Sequence, residues 1–143
     1  MKHLLWFFCL AFLLSCNTKT KQDENTEKKV YDMYEPSEMA ILMNQMYAHN
    51  LKIKNEIVAG KIPTEFPQDF LNIHTAELSD FKTRSERFQA FSTLFVTAEK
   101  DVFNTESNIP IEDRFNNAVG LCISCHQTEC TGPIPRIKKL LIK

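Results

Sequence analysis

Apolar residues recur every three or four positions over most of the chain beyond residue 34, the spacing of helices that bury one face. Between 35 and 59 the stripe runs Met39, Met43, Met46, Asn50, Ile53 and Ile57, with Leu42 and Tyr47 beside it. Pro36 suits a first helical turn, Ser37 and Glu38 suit its N-terminal end, and Gly60 followed by Pro63 stops it. This is helix A. Pro67 opens a weaker stripe, helix B, over 68–80, carried by Phe70, Ile73 and Leu78. Helix C, over 85–104, carries Phe88, Phe91, Phe95, Ala98 and Val102. Helix D begins near Pro110 and Ile111 and turns Phe115, Val119, Cys122 and either Cys125 or His126 inward. Thr131-Gly132-Pro133 should end it, with Gly132 in a left-handed cap. A basic segment, 136–143, closes the chain in one or two further turns. Four amphipathic helices with short connections predict an all-α fold, an antiparallel four-helix bundle.

Ahead of the bundle the pattern changes twice. Residues 4–14 form an unbroken apolar run of about 11 residues behind Lys2, short of the roughly 20 needed to span a bilayer and suited to a signal-peptide core. Residues 17–29 are polar and charged without an apolar side chain, the composition of a flexible tether. The predicted organisation is a signal peptide over 1–15, a tether over 16–33 and a helical domain over 34–143.

Composition narrows the function. A formal net charge of −1 over 143 residues removes the electrostatic case for a nucleic-acid binder. Three glycines are too few for the turns of a β-sandwich. No Ser-His-acid arrangement, phosphate loop or paired-carboxylate motif suggests an enzyme. Five cysteines, Cys9, Cys16, Cys122, Cys125 and Cys130, are an odd number and unevenly placed, a poor match to a plain disulfide framework.

The C-terminal group carries chemistry. Cys122-Ile123-Ser124-Cys125-His126 is a CxxCH motif, the attachment pattern of c-type haem. Two thiols three residues apart on a helix can each bond a haem vinyl group, and the adjacent histidine then stands over the iron as its axial ligand. Three other readings stand beside it. Cys122, Cys125, His126 and Cys130 could bind zinc, although they crowd one helix and lack a second ligand pair. A dithiol redox pair calls for a βαβ setting that is not evident. A structural disulfide leaves Cys130 without a partner. Cys130 itself fits a buried thiol, an intermolecular disulfide or a reactive site.

Two resemblances follow from these residues. Leu13-Leu14-Ser15-Cys16 resembles the lipobox of bacterial lipoproteins, which implies that Cys9 leaves with the signal and that Cys16 becomes a diacylated first residue anchored in membrane lipid of the periplasm or cell envelope. The late CxxCH, the four helices, and Val58-Ala59-Gly60-Lys61-Ile62-Pro63 at the exit of helix A resemble the class II cytochromes c, the cytochrome c-prime family. That resemblance implies covalent haem c held by Cys122, Cys125 and His126 near the C-terminal end of the last helix. It further implies a distal position on helix A near Met43 or Asn44, filled by a sixth iron ligand or a blocking apolar side chain. Met43 is the first candidate for iron ligation, with Met46 and Met39 behind it and His49 and His74 further back. Arg136, Lys138 and Lys139 are candidates for pairing with haem propionates. Pairing of two chains through helices A and B is implied by resemblance only.

The expected function is that of a membrane-anchored periplasmic electron-transfer protein with redox-protein partners. The alternatives are a haem protein that binds NO or CO, and a lipoprotein interaction domain without haem. Cys16 provides a direct test: the chain expressed in a bacterial host should incorporate labelled palmitate, and Cys16→Ala should not.

Overall fold

Ser37 starts the first helix through its own side chain, whose Oγ accepts from the Ala40 amide at 3.3 Å. This satisfies one of the amide groups that a helix start leaves without a partner. In the computed structural model, which describes residues 35–143, this helix, α1, spans Glu38–Val58. Pro36 precedes the cap rather than occupying the first turn. The expected signal peptide with Cys9, the lipidation candidate Cys16 and the expected tether lie outside the described residues. α1 ends as its glycine predicts. Gly60 takes φ +74°, Gly60 N donates to Ile57 O and Lys61 N to Glu56 O, both at 2.9 Å. These are the paired bonds of a Schellman cap.

The second element departs from expectation. In place of an α-helix over 68–80 there is a 3-10 helix, Gln68–His74. The chain then leaves helical geometry because its polar groups have better partners elsewhere. Arg84 donates to the carbonyls of Ile73 at 2.8 Å and Ala76 at 2.6 Å. Glu77 docks onto the start of α1: its carbonyl accepts from Met39 N at 2.9 Å, and its amide donates to Glu38 Oε2 at 2.9 Å. Ser37 and Ser79 hydroxyls meet at 3.3 Å. Residues 75–84 therefore form a bent segment clamped across the N-terminus of α1.

α2 spans Glu86–Val102, capped by Ser85 Oγ on Phe88 N at 3.1 Å. α3 spans Ile111–Glu129. It stops at Cys130 in extended geometry; Gly132 does not adopt a positive φ, so the expected left-handed cap is replaced by a simple break before Pro133. A short helix, α4 (Ile134–Ile137), and a 3-10 turn, Lys138–Leu140, complete the chain. Asn116 fastens this end by exchanging two bonds with the Ile142 backbone, at 2.9 and 2.8 Å. Lys54 reaches the carbonyls of Lys139 and Leu141 at 2.7 and 2.9 Å.

The described residues are all helical, with no strand, and no described helix is long and apolar enough to cross a membrane. Two apolar clusters hold them. One joins Met39, Leu42 and Met46 to Phe70, Ile73, Phe88, Phe95 and Val96. The other joins Ile53 and Ile57 to Ala98, Val102, Phe115, Ala118, Val119, Ile137 and Leu140. The later half of α1 thus packs on the earlier half of α3.

Arg114 closes the α2–α3 connection. It is 8% exposed and donates to the carbonyls of Ile109 at 2.9 Å and Asn104 at 2.8 Å, and to that of Asp101. A cation beside the last carbonyls of a helix also complements its dipole. Arg114→Met keeps the packing but strands these carbonyls. It should cost about 2–4 kcal/mol in urea unfolding, and a loss below about 1 kcal/mol would remove this role.

Candidate functional site

On α3 the positions 122, 125 and 126 share one face, because residues three and four apart on a helix are neighbours. On α1 the positions 39, 43 and 46 do the same. The two faces meet across a cavity of about 340 Å³, within the range of small-molecule and cofactor sites. Cys122, Cys125, His126 and Cys130 line one side; Met39, Met43 and Met46 line the other. Phe88 and Phe95 of α2 add to the wall, and the bent segment contributes Leu78 and Phe81 to the rim. Phe81 is 81% exposed, which sets it at the mouth. Lys82 and Arg136 also line the cavity. The Arg136 guanidinium lies 3.8 Å over the Tyr47 ring and donates to Asn44 Oδ1 at 2.7 Å, so its charge is held at the site.

Packing explains why the cavity lies here. Cys122 touches both apolar clusters, and every residue from 120 to 126 is half-buried. Beyond Cys122, α3 continues alongside the first cluster without joining it.

The His126 ring is oriented by the end of its own helix. Its Nδ1 lies 2.8 Å from the Cys130 carbonyl oxygen. A carbonyl can only accept, so Nδ1 carries the proton and the Nε2 lone pair is left for a ligand role. This is the second contact that iron- and zinc-binding histidines ordinarily make.

Neither thiol is tuned as a thiolate. Burial pushes the Cys122 thiol far up from its usual range, with the Glu99 and Cys125 charges adding to the rise. Burial, then Glu129, pushes Cys125 up to about 11. Redox dithiols and zinc-binding cysteines need the opposite shift. Among the described residues, no group of three or more His, Cys, Asp or Glu gathers as a metal-ion site, and the three cysteines are free thiols.

The structure separates the other candidates. Met39 and Met46 are buried, Met43 half-buried. His49 does not line this cavity; it packs edge-on against Phe70 at 5.6 Å. His74 is likewise elsewhere, with Nδ1 3.2 Å from Ser92 Oγ. Lys138 and Lys139 are exposed and do not line the cavity.

Two residues here carry no role in the sequence reading, although Asn50 is on its helix A stripe. Glu99 is 0% exposed, and among the described residues neither carboxyl oxygen has a hydrogen-bond partner. Asn50 is 3% exposed, lines the cavity and has an unpartnered Oδ1. Burial raises the Glu99 pKa to about 8, and the nearby Asn50 side chain offsets part of the rise. The signal was present: Phe95, Glu99 and Val102 are four and three apart, which sets the carboxyl on the buried stripe.

The sign of the effect on stability follows. A carboxyl whose folded pKa lies above its unfolded value near 4.5 binds its proton more tightly when folded, so stability falls as pH rises between about 4.5 and 8. Glu99→Gln should flatten that slope and leave the variant more stable than the parent above pH 8, measured by denaturant unfolding over a pH series. An unchanged slope would remove Glu99 as its source.

Comparison with protein-family models, with curated proteins and with solved structures finds no match to this chain.

Proposed function

We propose that this chain is a membrane-anchored c-type cytochrome of the class II kind, an electron-transfer protein of the bacterial periplasm or cell envelope. The observation that carries the reading is the His126 Nδ1 contact with the Cys130 carbonyl, because it leaves Nε2 available beside two cysteines on an apolar cavity. In this reading Cys122 and Cys125 would hold haem c as thioethers, and His126 and Met43 would bind its iron. When bound, the haem supplies a one-electron iron couple, and a methionine–histidine pair raises its potential.

The chain's own residues perform the rest. Phe88, Phe95 and the α1 methionines exclude water from the inner cavity. Arg136, fixed on Tyr47 and Asn44, is suited to pair with a cofactor carboxylate at the mouth, and Lys82 stands at the same rim. Lys138 and Lys139 are not proposed for that role. The finer architecture we propose is the antiparallel four-helix bundle, supported by the packing of the later half of α1 on the earlier half of α3. In it, the 3-10 helix and the bent segment stand in for helix B. The membrane anchor, through acylated Cys16, rests on the sequence alone, as do redox-protein partners and pairing of two chains.

One observation favours a second reading. Met39 and Met46 belong to the core cluster, while Met43 packs only at its edge. If all three serve as packing, the distal side is apolar and admits NO or CO.

Expression in a host that matures c-type cytochromes tests both. The wild type should give a pyridine haemochrome spectrum of covalent haem after denaturation, and Cys122→Ala/Cys125→Ala should not. Absence of covalent haem in the wild type overturns the proposal in favour of a non-haem interaction domain. On electron transfer with Met43 ligation, reduced wild type is unchanged by CO and Met43→Ala binds it rapidly. Rapid CO binding by the wild type selects the gas-binding reading.

A further inference from the structure

The Glu99–Asn50 pair has no part in holding the cofactor, yet it stands against the same wall. Glu99 comes from α2 and is fully enclosed. Asn50 comes from α1 and faces the cavity. From α3, Cys122 is close enough for the two groups' charges to act on one another. Among the described residues, both Glu99 oxygens and Asn50 Oδ1 are buried without a hydrogen bond of ordinary geometry, and only the Asn50 side chain acts on Glu99 to favour its charge. Buried polar atoms without partners are uncommon and call for an explanation.

Among the described residues, no cation offsets a charge on Glu99. The groups acting on it are burial and the Asn50 amide. On its own helix face Phe95 and Val102 are apolar, and the buried cluster that holds Val102 takes Ile53 from α1 and Val119 from α3. Lys100, adjacent in sequence, is exposed and lies over the Phe66 ring at 5.6 Å. Arg114, the buried cation between α2 and α3, commits its donors to backbone carbonyls. Once Cys122 is a thioether it no longer titrates, which leaves Glu99 as the ionisable group of this wall.

We propose that Glu99 is a redox-linked proton site: it takes up a proton when the cofactor attached at Cys122 takes up an electron, and releases it on oxidation. The balance is one electron from an external one-electron donor to the iron, and one proton from solvent to the Glu99 carboxylate, giving the neutral acid. No bond to the cofactor changes. Asn50, which lines the cavity, is the member of the pair that favours the charged form of Glu99. The physical ground is mutual charge: a unit change of charge roughly 10 Å away, at an effective dielectric of about 20, alters proton affinity by about tenfold. A carboxyl offset only by the Asn50 amide, with no cation acting on it, is open to that change.

The inference rests on the haem reading, and the test separates the two. The midpoint potential of the haem-loaded full chain is measured by spectroelectrochemistry from about pH 6 to about pH 10, for the wild type, Glu99→Gln and Asn50→Leu. In the wild type the potential should fall with rising pH, by an amount matching a tenfold difference in proton affinity, about 59 mV for one electron. Glu99→Gln should lose that fall. Asn50→Leu, which removes the group opposing the effect of burial, should move it to higher pH. Reduction of the wild type should also consume protons, read with an indicator dye in weak buffer, a measurement that needs no variant.

If haem is attached and Glu99→Gln keeps the wild-type pH dependence, the proton site is overturned and the cytochrome reading stands. If reduction of the wild type consumes no protons over this range, the proton site is likewise overturned. If no haem is attached, both fall together.

Discussion

Phe115, Ala118 and Val119 seal the first half of α3 against α1, α2 and the C-terminal segment, and at Cys122 the close packing stops. Phe115 and Ala118 are 0% exposed and Val119 2%, so this half is fixed as firmly as any part of the molecule. Burying a phenylalanine contributes about 1.5–3 kcal/mol. The second half of the helix is held by Cys122 and Ile123 at the edge of the clusters, by continuity with the first half, and by Lys82, which donates to the Glu129 carbonyl. That difference along one helix is the constraint on which the site depends. It presents Cys122, Cys125 and His126 on a rigid rod while keeping their face open, the combination that a positioned cofactor requires.

Much of this was legible because helices write their buried face into the sequence. The α1 stripe of Met39, Met46, Asn50, Ile53 and Ile57 is the face the structure buries, and Phe88, Phe95, Ala98 and Val102 are buried on α2. The motif 122–126 and the methionine stripe were separately readable, and the fold brings them to one cavity. Helix B failed for a reason no local pattern contains. The carbonyls of Ile73 and Ala76 are taken by Arg84, and the Glu77 backbone by the start of α1; these are tertiary bonds, and the weak stripe could not compete with them. Gly132 misled in a different way, because glycine permits a left-handed cap without requiring one.

Polar residues on buried stripes were the least legible. Asn50 was visible as a stripe position, but its unpartnered oxygen depends on what faces it from α2. Glu99 occupies a core position by spacing alone, and only the folded contacts deny it a donor. Arg114, in contrast, is buried with its donors satisfied by carbonyls at the end of α2. Two buried ionisable residues of the fold thus have opposite character. One closes a helix end, and the other is left responsive to nearby charge.

The hydrogen bond from the Met39 amide to the Glu77 carbonyl joins two parts of the cavity. It belongs to the start of the helix that carries Met39, Met43 and Met46, and to the segment that bears Leu78, Phe81 and Lys82 at the cavity mouth. Together with the Glu77 amide on Glu38 and the Ser37–Ser79 contact, it ties the mouth and the methionine face along one seam. The rim of the cavity and its methionine wall are thus a single piece of structure.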